Sequence, residues 1–149
     1  MCYYTSEMAC PYFFPSSPHN TGAGPRNAML PLGDSWAGEC RAAADRPWQP
    51  DPAIARPLCN LGYARGRCDR FPSGDGPDAV RFTVSADRGA SVQLLYVIER
   101  DHRPFAHGSL DYAADSGAFT LPPAGESLDA QARAYLASYF RRKAEANPR

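Results

Sequence analysis

Proline is the residue that most limits how the first half of this chain can fold. Eleven of the 15 prolines in the 149-residue sequence lie within residues 1–78. Each proline removes a backbone hydrogen-bond donor and restricts the residue before it, so neither a long helix nor a central strand can run through this region. Only residues 37–44 leave room for a short helix. The sequence therefore predicts an irregular N-terminal half, which needs something other than secondary structure to hold it together.

The same half contains all five cysteines of the chain, at positions 2, 10, 40, 59 and 68. An odd number of cysteines argues against a framework of disulfide bonds. The first 18 residues also lack the unbroken apolar stretch of a secretory signal, because Glu7 and three prolines interrupt them. We therefore expect the protein to stay in a reducing cytoplasm. Its bias toward arginine, 15 residues against one lysine, indicates a GC-rich bacterial genome.

Four of these cysteines form the main candidate for a functional site. They avoid the apolar segments further along the chain and stand beside turn residues such as proline, glycine and asparagine. Thiolates on loops can converge on a metal without sharing a helix face, and the bound metal would supply the missing cross-link. We expect Cys10, Cys40, Cys59 and Cys68 to be the ligands, because Cys2 lies beside the chain terminus.

The spacing of these cysteines favours an iron–sulfur cluster over zinc. Structural zinc sites carry pairs of ligands only a few residues apart, whereas the closest candidate pair here, Cys59 and Cys68, has eight residues between its members. The irons of a [4Fe–4S] cluster can take thiolates from widely separated loops. We therefore predict a small metal-cluster protein that holds a [4Fe–4S] cluster for electron transfer, for redox sensing or as a structural clamp of an interaction module. The sequence shows no substrate pocket, so we do not predict an enzyme.

Residues near the cysteines in sequence would suit the negative charge of such a cluster. Arginines could donate hydrogen bonds to it, and aromatic side chains could keep water away. The arginines are Arg41, Arg56, Arg65, Arg67 and Arg70. The aromatic residues are Tyr12, Phe13, Phe14, Trp36, Tyr63 and Phe71.

Several alternatives remain open. His19 could replace one sulfur in a mixed site. The chain could instead be a zinc-stabilised module that binds a protein or a nucleic acid, with Arg141, Arg142 and Lys143 as the contacts for an anionic partner. It could also be a metal-free thiol enzyme with one reactive cysteine, or its cysteines could simply fill a core.

Residues 59–72, CNLGYARGRCDRFP, resemble the opening of a CCCH zinc finger, a family that binds RNA. That pattern, C-x8-C-x5-C-x3-H, requires a cysteine at position 74 and a histidine at position 78. The chain has Gly74 and Asp78 at these positions, so half of the ligands are missing. We therefore base no prediction on this resemblance.

The C-terminal half has the pattern of a sheet followed by a helix. The predicted strands are residues 79–85 and 91–100, and residues 105–112 with 118–121 are expected to add one or two more. The short turns between them are typical of an antiparallel meander. Apolar residues from Leu128 to Phe140 recur at helical spacing, and Ser127 is the predicted N-cap. We predict that this amphipathic helix covers one face of the sheet.

Together these features predict an α+β fold with a cysteine- and proline-rich irregular N-terminal half, a small antiparallel β-meander and a C-terminal helix. We divide the chain into a metal-binding segment, residues 1–78, and a sheet-and-helix segment, residues 79–149, and expect one compact unit. The 16 basic and 16 acidic residues cancel, so no overall field attracts nucleic acid or an anionic membrane. No stretch approaches the roughly 20 apolar residues of a membrane span. The expected partner is a protein or a nucleic acid rather than a membrane.

Overall fold

The computed structural model describes residues 8–18, 31–43, 45–61, 63–123 and 125–146. The predicted α+β fold is confirmed in it. Two antiparallel sheets are present, one from each half of the chain, and a long C-terminal helix follows them.

The sheet of the C-terminal half is the predicted four-stranded meander, in the order β3-β4-β5-β6. Its strands are β3 (Ala79–Asp87), β4 (Ser91–Arg100), β5 (Arg103–Ala113) and β6 (Ala118–Phe119). In β3, Val80 and Phe82 are buried while Arg81 and Thr83 are exposed, because successive side chains of a strand point to opposite faces. The alternation seen in the sequence is therefore the alternation between core and solvent.

The turn between β4 and β5 has two residues in the left-handed region. Asp101 and His102 have φ angles of 56° and 61°, and the flanking Arg100 and Arg103 are paired. Two-residue hairpin turns favour this backbone because it follows the twist of the strands. The tight turn joins the long strands β4 and β5, whose register shifts by one residue between Ile98 and Glu99.

The C-terminal helix α2 (Glu126–Ala146) packs against the meander and against the N-terminal half. Ala132 and Leu136 are buried in the common core, and the Tyr135 ring lies 5.8 Å from the Phe82 ring. The predicted N-cap is wrong by two positions. The helix begins at Glu126, so Ser127 lies inside its first turn rather than before it.

The N-terminal half contains a two-stranded antiparallel ribbon of β1 (Phe13–Pro18) and β2 (Trp36–Cys40). The short helix expected within residues 37–44 is therefore wrong. Gly38 explains the difference, because a Cβ atom at this position would lie 2.1 Å from the carbonyl oxygen of Phe14. The missing side chain lets the two strands approach each other, and that long-range contact could not be read from local sequence.

In the chain segment that connects β2 to β3, a single helical turn, α1, covers Pro52–Ile54. Asp51 caps its start by accepting a hydrogen bond from the Ile54 N–H. A π-helical turn (Ala55–Cys59) follows directly. These turns are the only helical structure that the described residues of the N-terminal half contain.

One hydrophobic core joins elements from both halves of the chain. It includes Phe13 and Leu32 from the first half and Val80, Leu94 and Leu136 from the second. Ala9 also pairs with β3, since its N–H and carbonyl both hydrogen-bond to Val80, at 2.7 and 2.8 Å. In the ranges that the structure describes, no helix is long and apolar enough to cross a membrane.

Candidate metal centre

The four described cysteines line one small cavity. Cys10 precedes β1, Cys40 ends β2, Cys59 ends the π-helical turn, and Cys68 lies in the loop that leads to β3. Four separate loop segments therefore bring their thiols to the same place. We call this space the cysteine cavity.

Cys10 is held at the cavity by hydrogen bonds to distant parts of the chain. Its backbone N–H donates to the carbonyl of Cys59 at 3.0 Å. Its carbonyl accepts from the Phe13 N–H, which closes a turn with Pro11 at the second position. The same carbonyl accepts a hydrogen bond from the Gln131 side chain of α2 at 2.7 Å. Helix α2 thus helps to position the first cysteine.

Cys59 is positioned by the residue that follows it. Asn60 is almost fully buried, and its side-chain oxygen accepts a hydrogen bond from the Trp36 N–H at 2.8 Å. Its amide nitrogen donates to the carbonyls of Trp36 and Ala55 at 3.0 and 2.9 Å. The asparagine therefore fastens the π-helical turn to strand β2.

Cys40 and Cys68 form the more exposed side of the cavity. Cys40 pairs with Trp48 through two backbone hydrogen bonds of 2.6 and 3.1 Å, which fold the intervening loop back on itself. Cys68 donates its N–H to the Ala64 carbonyl within a turn that contains Gly66. Gly66 has a φ angle of +84°, a conformation that glycine adopts without steric cost.

The wall of the cavity is mainly apolar and aromatic. Tyr12, Phe13 and Phe71 line it as the sequence analysis expected. Three other expected aromatic residues, Phe14, Trp36 and Tyr63, are not among the lining residues. Of the five arginines considered, Arg70 is the one that lines the cavity.

Four residues of the wall were missed from sequence, namely the small Ala42 and Ala64 and the larger Trp48 and Leu58. Leu58 precedes Cys59 directly, so a search of the immediate neighbours would have found it. Trp48 follows Cys40 by eight residues within a proline-rich loop. Only the backbone pairing between Trp48 and Cys40 brings its indole to the site.

Burial keeps the two inner thiols protonated. It raises the pKa of Cys10 from 9.0 to about 12, and the charges of Cys59, Cys40 and Cys68 raise it further, while a backbone hydrogen bond from Tyr12 opposes them. Burial is also the main cause that raises the pKa of Cys59 to about 12. Since nucleophilic catalysis requires a thiolate, these two cysteines are poor candidates for a metal-free thiol enzyme.

The cavity has little free space, about 20 Å³, close to what one water molecule needs. A tetrahedral zinc site with bonds of about 2.3 Å places its sulfurs about 3.8 Å apart. Among the residues with described positions, no three His, Cys, Asp or Glu side chains are arranged to hold a metal ion. The four thiols therefore line the same cavity but are not arranged around one common metal position.

The remaining candidate ligands do not add to this cavity. Cys2 and His19 lie outside the described residues. His102 stacks on Tyr63 at the β4–β5 turn, with ring centroids 4.1 Å apart, and His107 is exposed on β5. Of the described residues, no histidine, aspartate or glutamate lines the cysteine cavity.

The basic end of α2, considered above as a contact for an anionic partner, is engaged within the molecule. Arg141 donates to both carboxylate oxygens of Asp34, at 2.7 and 2.8 Å. The Arg142 guanidinium donates to the carbonyl of Gly33, and Lys143 pairs with a carboxylate of the β3–β4 turn at 2.8 Å. Arg141 and Lys143 are therefore paired with carboxylates of this chain, whereas Arg142 is held by a backbone carbonyl.

Comparison of the chain with protein-family models, with curated proteins and with solved structures finds no match in any of the three. A functional proposal therefore rests on the site itself.

Proposed function

We propose that this protein binds a metal centre through the thiolates of Cys10, Cys40, Cys59 and Cys68, and that the centre is a [4Fe–4S] cluster. The observation that supports the proposal is the convergence of these four cysteines on one cavity. No carboxylate or imidazole of the described residues accompanies them there. Four thiolates without other ligands are the donor set of iron–sulfur clusters and of structural zinc.

The surroundings of the thiols suit a negatively charged cluster. The rings of Tyr12, Phe13 and Phe71 limit the access of water, and the backbone of Tyr12 hydrogen-bonds to the Cys10 thiol. Hydrogen bonds to sulfur and a shielded environment are the features by which a protein tunes such a cluster. The positive charge of the irons would in turn offset the repulsion among the four thiolates.

Two features of the cavity bear on the choice between iron and zinc. Each thiolate of a cubane binds its own iron, so its four sulfurs stand farther apart than those around a single ion, and cysteines from four separate segments suit this wider arrangement. The small free space instead favours zinc, which is therefore the second candidate. A cluster requires the loops of Cys40 and Cys68 to move outward, and these loops carry the more exposed cysteines.

The position of the centre supports three possible roles, namely a structural clamp, electron transfer and redox sensing. A metal would cross-link four loop segments that regular secondary structure joins only in part, which is the role of a clamp. Cys40 and Cys68 place one side of the centre near the surface, as electron transfer and redox sensing require. We further propose a reducing cytoplasm, where the thiols stay available to a metal.

The test is anaerobic purification of the full chain, followed by quantification of iron, acid-labile sulfide and zinc. We expect equal amounts of iron and sulfide and a brown protein. Changing Cys10, Cys40, Cys59 or Cys68 singly to serine should strongly reduce the metal content. Cys2→Ser is the matched control, because it removes the fifth cysteine and should leave the metal content unchanged.

Circular dichroism of each variant separates the loss of a ligand from the loss of the fold. A colourless protein with one zinc per chain would show that the centre is zinc, the second candidate, and not an iron–sulfur cluster. A folded protein that carries no metal and tolerates all four serine substitutions would refute the metal centre.

A further inference from the structure

A second cavity adjoins the cysteine cavity on the side of Cys40. It encloses about 270 Å³ and shares Cys40, Trp48 and Arg70 with the cysteine cavity. The loop after β2 forms the rest of its wall and contributes Asp45 and Arg46. We call this space the arginine cavity.

The wall of the arginine cavity carries an excess of positive charge. Arg46 and Arg70 are exposed, and neither forms an ion pair with any carboxylate in the described part of the chain. Asp45 is the one acidic residue of the described chain in this wall, so the two arginines and one aspartate give it a net charge of +1. Two arginines elsewhere, Arg65 and Arg141, are instead paired with Asp78 and Asp34, respectively.

The Arg70 side chain is held in place by an aromatic ring. Its guanidinium lies over the Trp48 indole, 4.2 Å from the ring centroid. Such a contact restricts the guanidinium while its N–H groups stay free to donate hydrogen bonds. A fixed guanidinium loses less side-chain entropy when an anion binds, and its planar fork matches two oxygens of a carboxylate or a phosphate.

We infer that the arginine cavity binds a small oxyanion, a carboxylate or a phosphate, between Arg46 and Arg70. The volume suits a ligand of a few heavy atoms, and the Trp48 indole offers an apolar surface to the body of a flat anion. This inference goes beyond the proposed function, because the two arginines that bind the anion are not ligands of the proposed metal centre. The bound anion lies against Cys40, which belongs to both cavities.

The test is isothermal titration calorimetry on the purified full chain with benzoate and with inorganic phosphate. Benzamide, which has the shape of benzoate without its charge, is the control ligand. We expect at least one of the two anions to bind and benzamide not to bind. The anion that binds more tightly identifies the class of oxyanion. Metal content is measured in the same samples, so a failure of the proposed metal centre is seen separately from a failure of anion binding.

Substitutions provide the decisive comparison. Arg46→Gln and Arg70→Gln should each weaken binding by about tenfold, because each removes one charged hydrogen-bond donor. Asp45→Asn should strengthen binding, since it removes the opposing carboxylate. Arg81→Gln, which changes an exposed arginine on β3, should have no effect. The inference is overturned if neither anion binds, if benzamide binds as well as benzoate, or if the double arginine variant binds like the unchanged protein.

Discussion

Strand β3 and the first part of β4 bury alternate apolar side chains, whereas buried amides hold the loops that carry the cysteines to neighbouring segments. Val92 and Leu94 of β4 are 1% and 0% exposed. Asn60 of the loop half and Gln131 of helix α2 are equally buried, and together they make five hydrogen bonds to backbone groups of the loop half, four of them to other segments. The two regions thus reach the same degree of burial by different interactions.

This difference has a consequence for how each region responds to change. An apolar side chain contributes in proportion to the area it buries, and its neighbours adjust to a substitution only in part. A buried amide satisfies backbone groups that are otherwise left without partners, at a cost of roughly 1–3 kcal/mol for each group. Substitutions in the core of the meander should therefore lower only the stability of the fold. Substitutions of the buried amides should lower the stability and also displace the cysteine loops.

The largest effect is expected in the meander. Leu94→Ala should lower the free energy of unfolding by about 2–5 kcal/mol, because it leaves a void at a fully buried position. Urea unfolding measures this loss. Leu95→Ala is the matched control, since Leu95 is the next residue and is 40% exposed; we expect a loss below about 1 kcal/mol. Equal losses at the two positions would contradict the assignment of the two faces of β4.

A smaller effect is expected at the amide beside Cys59. Asn60→Ala removes three hydrogen bonds; water can enter the space that the side chain leaves, so we expect the loss to stay near the net contribution of about 1 kcal/mol for each bond, or about 3 kcal/mol in the free energy of unfolding. If the proposed centre is present, the metal content per chain should also fall, because the turn that carries Cys59 loses its link to β2. Gln49→Ala changes an exposed amide in the same half and should alter neither quantity. If Asn60→Ala is as stable as the unchanged protein, the buried amide does not stabilise the loop half, and the proposed difference between the two regions is wrong.

The smallest effect concerns pH and a carboxylate at the start of β3. Burial acts to raise the pKa of Asp78, but the Asp101 N–H and the Arg65 guanidinium, with a contribution from His102, outweigh it and hold the pKa below the ordinary value of 3.8. A lowered pKa in the folded state stabilises the protein above the unfolded-state pKa, and this stabilisation is lost as the pH falls through the folded-state value.

Urea unfolding between about pH 2.5 and 6 should therefore show a smaller dependence on pH for Asp78→Asn than for the unchanged protein. Asp75→Asn, at an exposed position in the preceding loop, should follow the unchanged protein. A pH profile for Asp78→Asn that coincides with the original would show that Asp78 contributes no pH-dependent stability.

The meander could be predicted from sequence because its signal is local. Strand β4 covers the residues predicted for it. Strand β3 extends its predicted segment by two residues, β5 extends its segment by two residues at the start and one at the end, and β6 ends two residues early. The start of α2 was displaced by two positions because Ser127 resembles an N-cap, although the helix already begins at Glu126. Errors of this size occur where local preference at a helix end is weak.

The loop half was less predictable because its structure depends on long-range contacts. Nothing near Gly38 in the sequence indicates that Phe14 will lie against it, yet this contact makes residues 36–40 a strand. The same limit applies to Trp48, which reaches the cysteine cavity only through its pairing with Cys40. The choice of four cysteines relied on their shared avoidance of apolar segments, a feature that says nothing about distances.

The amino-acid sequence by itself determined the division into a proline-rich leading half and a regular sheet-and-helix half, since proline chemistry and hydrophobic periodicity act within a few residues. Only the tertiary structure decided that four thiols meet in one cavity and that two arginines stand beside it. The positions of these side chains depend on hydrogen bonds between residues far apart in the chain, such as the bond from Gln131 to Cys10. No local sequence pattern encodes such bonds.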